Sequence, residues 1–139
     1  MIGRVLAVDP GDQRIGLAVS DPSGTIANPL RVIQHFSRNV DAAFIAQIAG
    51  EEGVVRIIVG LPLDDEGRFG PRARKAERLA EAIRQQSKLP IELWDESLST
   101  REAVEARRQM GARRERRSGH LDELAATILL QSYLDAHSQ

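Results

Sequence analysis

Apolar positions along this chain follow two rhythms: short unbroken runs that suit strands, and three-to-four-residue spacing that suits helices. Val5-Leu6-Ala7-Val8, closed by Asp9-Pro10-Gly11, and the apolar stretch within Arg14 to Ser20 predict strands over 4–9 and 14–20. The intervening Pro10-Gly11-Asp12-Gln13 is a turn signal, so the two strands are expected to form an antiparallel hairpin. Pro22-Ser23-Gly24 predicts another turn, and Leu30 to His35 a third strand. Ala42, Phe44, Ile45, Ile48 and Ala49 keep a helical period, which predicts a helix over 41–52 with Asn39 as its cap and Gly53 as its stop.

Val54 to Gly60 is nearly continuous apolar sequence broken only by Arg56, the pattern of a parallel strand covered on both faces. A polar loop over 63–70 follows, then Pro71 at the first position of a helix whose apolar stripe is Ala73, Ala76, Leu79, Ala80 and Ile83. Ile91 to Asp95 predicts the last strand. Ser99 with Glu102 reads as a capping box for a short helix ending near Met110, 111–119 as a basic loop, and 121–136 as the final helix. Hairpin strands followed by alternating helix and strand predict an α/β fold, a five-stranded mixed sheet with helices on both faces. With the first strand central, the carboxyl ends of the first and last strands come together, and Asp9 would meet Glu96.

Length and composition narrow the class. A chain of 139 residues is expected to be one domain, 1–139. It has no cysteine, which removes disulfides and thiolate metal sites and suits a reducing cytosol. No signal-peptide pattern or membrane-length apolar stretch is present, so the expectation is a cytoplasmic protein without membrane contact. The net charge of -1 gives no global attraction for nucleic acid. Locally, however, Arg107, Arg108, Arg113, Arg114, Arg116 and Arg117 are opposed only by Glu115. A solvated helix end explains such a run as readily as a phosphate-binding surface does.

The candidate chemistry is three carboxylates. Asp9 and Glu96 end apolar runs, and Asp122 is followed at helical spacing by Ala125, Ala126, Leu129 and Tyr133, which places it on the face toward the core. A buried carboxylate is costly unless it is paired or binds a metal. Three together, with no His or Cys among them, suit Mg²⁺ or Mn²⁺ and the clamping of a phosphodiester. Each also has a plainer explanation: Asp9 as a turn former, Glu96 as a cap, Asp122 as a charge favoured by the helix dipole. Asp64, Asp65 and Glu66 read as solvated, and His120 as incidental. A rival reading takes Asp9-Pro10-Gly11-Asp12-Gln13-Arg14-Ile15-Gly16 as the first phosphate loop of actin-like ATPases and sugar kinases, but no second domain or adenosine loop accompanies it.

Six ordered motifs carry a family resemblance: Leu6 to Gly11, Arg14 to Asp21, Ile58 to Leu63, Gly70 to Lys75, Trp94 to Thr100, and Asp122 to Ala126 continuing through Leu130 to Leu134. Together they resemble the YqgF family, also called RuvX-type or Holliday-junction-resolvase-like proteins, over essentially the whole chain. The resemblance implies a ribonuclease H-like fold and a divalent-metal nuclease that processes the 5′ end of 16S ribosomal RNA precursor in the bacterial cytoplasm. It also implies Asp9, Glu96 and Asp122 as catalytic metal ligands, with Gly60 to Pro62 and Gly70 to Lys75 bordering the substrate path. Arg14, Arg72, Lys75, Arg101, Arg113, Arg114, Arg116 and Arg117 are the candidate substrate-binding residues. Gln13 stands where the family usually has Lys, Asp64 where Asn is common, and Ser97 where Arg often follows the Glu; each makes the phosphate path less positive, which alters substrate affinity unless Arg14 and Arg101 compensate.

Three functions stay open on the sequence. One is an RNA-processing nuclease, with a ribosomal protein or another nuclease as a conceivable partner. Another is a resolvase of four-way DNA junctions, for which a two-fold dimer is the natural solution. The last is a nucleic-acid-binding module without turnover, against which the intact carboxylate trio argues.

Overall fold

The computed structural model describes residues 3–96 and 120–138, with side chains of the last helix described from Glu123 onward. Its elements are β1 (Val5–Pro10), β2 (Arg14–Ser20), β3 (Ala27–Gln34), α1 (Arg38–Glu52), β4 (Arg56–Leu61), α2 (Pro71–Gln86), β5 (Ile91–Asp95) and α3 (His120–His137). The sheet order is β3-β2-β1-β4-β5. Pairing is antiparallel from β3 through β2 to β1 and parallel from β1 through β4 to β5, as the element order predicts. The helix expected over 99–110 and the basic loop over 111–119 lie outside the described residues.

Strand alternation divides the core in two. Leu6, Val8, Ile15, Leu17, Ile57 and Val59 pack against Ala42, Ile45 and Ile48 of α1 and Ala76, Leu79 and Ile83 of α2. On the reverse face, Val5, Ala7, Ala18 and Ile58 meet Ala126, Leu129, Leu130, Tyr133 and Leu134 of α3. Alanines on both sides of this second interface let α3 lie close to the central strands. Ile57, Ile58 and Val59 are all fully buried, as a doubly covered strand requires.

Two boundaries differ from expectation for identifiable reasons. β3 begins at Ala27, before the expected start at Leu30, and runs through Pro29; β3 is an edge strand, where a missing N–H can face away from the ladder. α1 begins at Arg38 and is capped by Ser37, whose hydroxyl accepts from Val40 N at 3.3 Å; Asn39 lies inside the helix. Gly53 does end α1, in the left-handed conformation at φ 65°, with its N–H directed to Ala49 and Gly50 carbonyls.

The β2–β3 turn is organised by Asp21. Its Oδ1 accepts from Thr25 N at 2.8 Å and Ile26 N at 2.9 Å, and its Oδ2 accepts from the Ser23 hydroxyl. The Ile26 N–H, then the Ser23 hydroxyl and Thr25 N–H, stabilise the carboxylate and lower its pKa from 3.8 to about 2. This contribution to stability is complete above the unfolded value near 3.8 and disappears as pH falls through about 2. Asp21→Asn is therefore expected to flatten the pH dependence of unfolding between those values, measured by urea melts at successive pH. An unchanged pH profile would remove Asp21 as the titrating group.

Candidate nuclease site

The pleat places the predicted carboxylates on one side of the sheet. Val5 and Ala7 contact α3, so Asp9 continues on that face at the carboxyl end of β1. In β5 the same alternation sets Trp94 toward α3, and Glu96, two residues on, keeps that side. Strand β4 runs between them. At a spacing of about 4.8 Å between neighbouring strands, the β1 and β5 backbones stand about 10 Å apart. With β4 between the two backbones, only side chains can span this distance.

Gly60 fills the gap in β4 without adding a side chain. A Cβ at this position would stand 2.6 Å from Glu96 Oε1, 3.1 Å from Glu96 Cγ and 3.0 Å from Leu129 Cδ2. The Glu96 carboxylate thus lies directly over the Gly60 backbone and beneath α3. On the other side of Asp9, its pairing partner in β2 is Gly16. Glycines therefore flank Asp9 on both neighbouring strands, opening space on a face that is otherwise packed. Asp9 and Glu96 are half-buried and engaged by neighbouring groups.

Aromatic packing fixes where Glu96 sits. Trp94 meets Tyr133 edge-on, with centroids 5.1 Å apart, and its indole N–H donates to Ser132 Oγ at 3.0 Å. Tyr133 in turn stacks on His137 and accepts from Arg56 Nη1 at 2.8 Å. Burial pushes the Tyr133 phenol pKa up, against the lowering effect of Arg56, so the neutral hydroxyl holds this junction at neutral pH. β5 and α3 are tied together two residues before Glu96.

The first turn of α3 contains Asp122, so the backbone brings the third expected residue into the helix that covers the site. Its side chain lies outside the described residues. Among the described residues, no group of three or more His, Cys, Asp or Glu side chains is close enough to hold a metal. Of the three expected carboxylates, Asp9 and Glu96 are the two whose side chains are described, on the same side of the sheet.

Among the candidate cations, Arg14 starts β2 on the Asp9 face by the same alternation that sets Ala18 toward α3. Arg72 and Lys75 lie in the first turns of α2 and line a narrow cleft of about 50 Å³ with Pro10, Gly11, Asp12 and Pro62. Lys75 Nζ is 3.5 Å from Asp12 Oδ1, with both side chains well exposed. Arg101, Arg113, Arg114, Arg116 and Arg117 fall outside the described residues.

The Asp64 departure has a local role. Asp64 Oδ1 accepts from Glu66 N and Arg68 N, Oδ2 accepts from Arg68 Nε at 3.0 Å, and these bonds lower its pKa. Asp64 shares the Arg68 guanidinium with Glu66, whose carboxylate lies 3.1 Å from Arg68 Nη2. Gly60 and Gly16 are the site elements that the pattern of charged residues does not reveal. Their signal is a glycine inside an apolar strand run, which often marks a close approach.

The profile of the RuvX family, described as Holliday junction resolvase, matches residues 3–136. A protein of Thermoanaerobacter pseudethanolicus, provisionally named a pre-16S rRNA nuclease, is 42% identical over 137 residues, covering 96% of this chain and 96% of the relative. Its namesake from Syntrophomonas wolfei is 35% identical over 135 residues, covering 97% and 96%. Among solved structures, Thermus thermophilus RuvC in complex with a Holliday junction substrate matches with a TM-score of 0.62 at 15% identity, covering 98% of this chain and 97% of that one. The fowlpox virus resolvase bound to junction DNA matches at 0.58 and 9% identity, covering 98% and 99%. At these identities the likeness is one of fold: the mixed sheet has the ribonuclease H-like arrangement of these resolvases.

Proposed function

This chain belongs to the RuvX family, and from that premise we propose that it is a divalent-metal nuclease that processes the 5′ end of pre-16S rRNA in the cytoplasm. The observation that carries the reading is the Glu96 carboxylate lying over Gly60, on the sheet face that Asp9 shares. An all-carboxylate donor set in a chain without cysteine fits hard cations such as Mg²⁺ or Mn²⁺. Gly60 leaves room for the Glu96 carboxylate, which a Cβ there would displace.

In this reading Asp9, Glu96 and Asp122 hold the metal. Once bound, it would supply activation of water and stabilisation of charge on the leaving oxygen. Asp9 is held by β1 at the centre of the sheet, so its position varies little. Glu96 is set by the Trp94–Tyr133 contact, and α3 screens the site from solvent on one side. Arg14 offsets negative charge on the Asp9 face. Arg72 and Lys75 bind backbone phosphate beside the β1–β2 turn, where Asp12 partly neutralises Lys75.

The segment containing Arg101, Arg113, Arg114, Arg116 and Arg117 adds phosphate contacts. Replacing the last four together by Ala is expected to reduce the slope of log affinity against log salt by roughly 3 units, at about 0.7 per neutralised phosphate on a single strand. Fluorescence anisotropy with labelled RNA across a salt series measures it. An unchanged slope would remove those four residues from the interface.

Family description and fold neighbours both point to branched DNA as the competing substrate. A resolvase needs two-fold placement on the junction. Sedimentation of the protein with junction DNA tests this alternative, since a strictly monomeric complex is incompatible with paired cleavage.

A further inference from the structure

A cavity of about 240 Å³ opens on the opposite side of the β1–β2 turn from Asp9, between that turn and the starts of α1 and α2. Ile15 and Leu79 give it an apolar floor, and Arg38 and Lys75 bring positive charge to its lining. His35 also lines it, with its ring orientation fixed: Nδ1 donates to buried Asp41, whose other oxygen accepts from Phe36 N at 3.0 Å. The Asp41 charge is thereby engaged within the protein, leaving His35 Nε2 as the ring nitrogen able to meet a ligand.

Phe36 stands between the lining residues His35 and Ser37 and is 80% exposed. Val40, in the first turn of α1, is 50% exposed and extends the apolar surface. Phe36 thus adjoins in sequence two lining residues of a cavity that has an apolar floor, Arg38 on its wall and Lys75 shared with Asp12; an exposed aromatic residue with such cations is the combination that binds unpaired bases, because every base has a face to stack and a phosphate to neutralise. The volume falls below the roughly 300–1,000 Å³ of sites for drug-sized ligands, which suits a single base. Pro10, Gly11, Asp12 and Lys75 line both this cavity and the Arg72 cleft, so the two form one path around the turn that follows Asp9.

We propose that this cavity takes one unpaired nucleotide of the substrate strand, with Phe36 as the stacking face, Ile15 and Leu79 as the floor, and Arg38 and Lys75 as the phosphate contacts. The proposal rests on the nuclease reading and deepens it: the enzyme selects single-stranded sequence next to the cleaved bond. A base inside a duplex has both faces covered by its neighbours and cannot enter.

The test is anisotropy in chelator, without turnover, using a labelled single-stranded RNA and a duplex RNA of the same length. Phe36→Ala is expected to weaken single-strand binding about tenfold, or about 1.4 kcal/mol, with duplex binding unchanged. Phe36→Trp should restore affinity, whereas Phe36→Leu, apolar without a stacking face, should not. Arg38→Ala should lower single-strand affinity and reduce its salt slope by about 0.7. Equal single-strand affinities for wild type, Phe36→Ala and Phe36→Leu, or equal losses on both probes, would overturn the pocket and leave the nuclease reading standing. Wild-type protein that binds neither probe would overturn the pocket, and the nuclease reading itself falls if that protein also leaves RNA uncut once Mn²⁺ is added.

Discussion

Asp9→Asn is expected to reduce metal-dependent phosphodiester cleavage by about a thousandfold or more while the protein remains folded. Asparagine keeps the shape of the side chain at the end of β1 and one of its two oxygen acceptors, so the strand and its pairing with β2 are preserved. It removes the charge that a hard cation requires. A metal contributes several kcal/mol of transition-state stabilisation, and each 1.36 kcal/mol is about a decade of rate. Thermal melting gives an independent reading. Mn²⁺ at about a hundred times its dissociation constant should stabilise the wild type by about 2.7 kcal/mol and the variant by much less. Near-normal cleavage and an unchanged Mn²⁺ shift in Asp9→Asn would exclude Asp9 from the site.

Gly60→Ala tests the geometry without touching a charged residue. The added methyl would lie 2.6 Å from Glu96 Oε1, closer than the atoms can approach, with Leu129 Cδ2 at 3.0 Å limiting escape toward α3. The nearest atom is the end of a flexible side chain, so Glu96 can swing away, and the stability cost should stay near the lower end of the 1–3 kcal/mol usual for overpacking. Function has less latitude. A displacement of about 1 Å can cost about a hundredfold in rate, and a loss of that order is expected here. In a Glu96→Gln background the same methyl should add little further loss, because the group it displaces has already lost its charge. Additive losses in the double variant would mean that Gly60 acts through something other than Glu96.

Much of this arrangement is legible in the sequence. The unbroken apolar run around Val59 identifies a strand buried on both faces, and the order of strands and helices predicts a mixed sheet; the central place of β1 is a supposition on the sequence that the strand order bears out. Asp9 and Glu96 follow from that order, since both end such runs. β3 is less legible: its first residues are not expected in the strand, because a proline inside a strand is acceptable only at an edge, and the edge position is a property of the sheet. Ser37 is hidden for another reason, because Asn39 is an equally good cap by residue type and the choice is settled by Asp41, whose bonds to His35 and Phe36 N pin the opening turn of α1. A glycine inside an apolar run signals a close approach at Gly16 and Gly60, but which residues they face depends on cross-strand register, which no local pattern encodes. The cavity next to His35 and Ser37 depends on three elements far apart in sequence, and nothing in the local pattern singles out Phe36.

The central claim is that this protein cuts RNA with a metal held by Asp9 and its partners. The most direct measurement is cleavage of a labelled RNA carrying the 16S 5′ leader, by wild type and Asp9→Asn, in Mg²⁺ or Mn²⁺ against chelator, with a four-way DNA junction run in parallel. Cutting of the leader that requires metal, vanishes in Asp9→Asn and exceeds any cutting of the junction is the predicted result. An intact leader in every metal condition, with the RNA still bound, would contradict it and identify a binding protein without turnover.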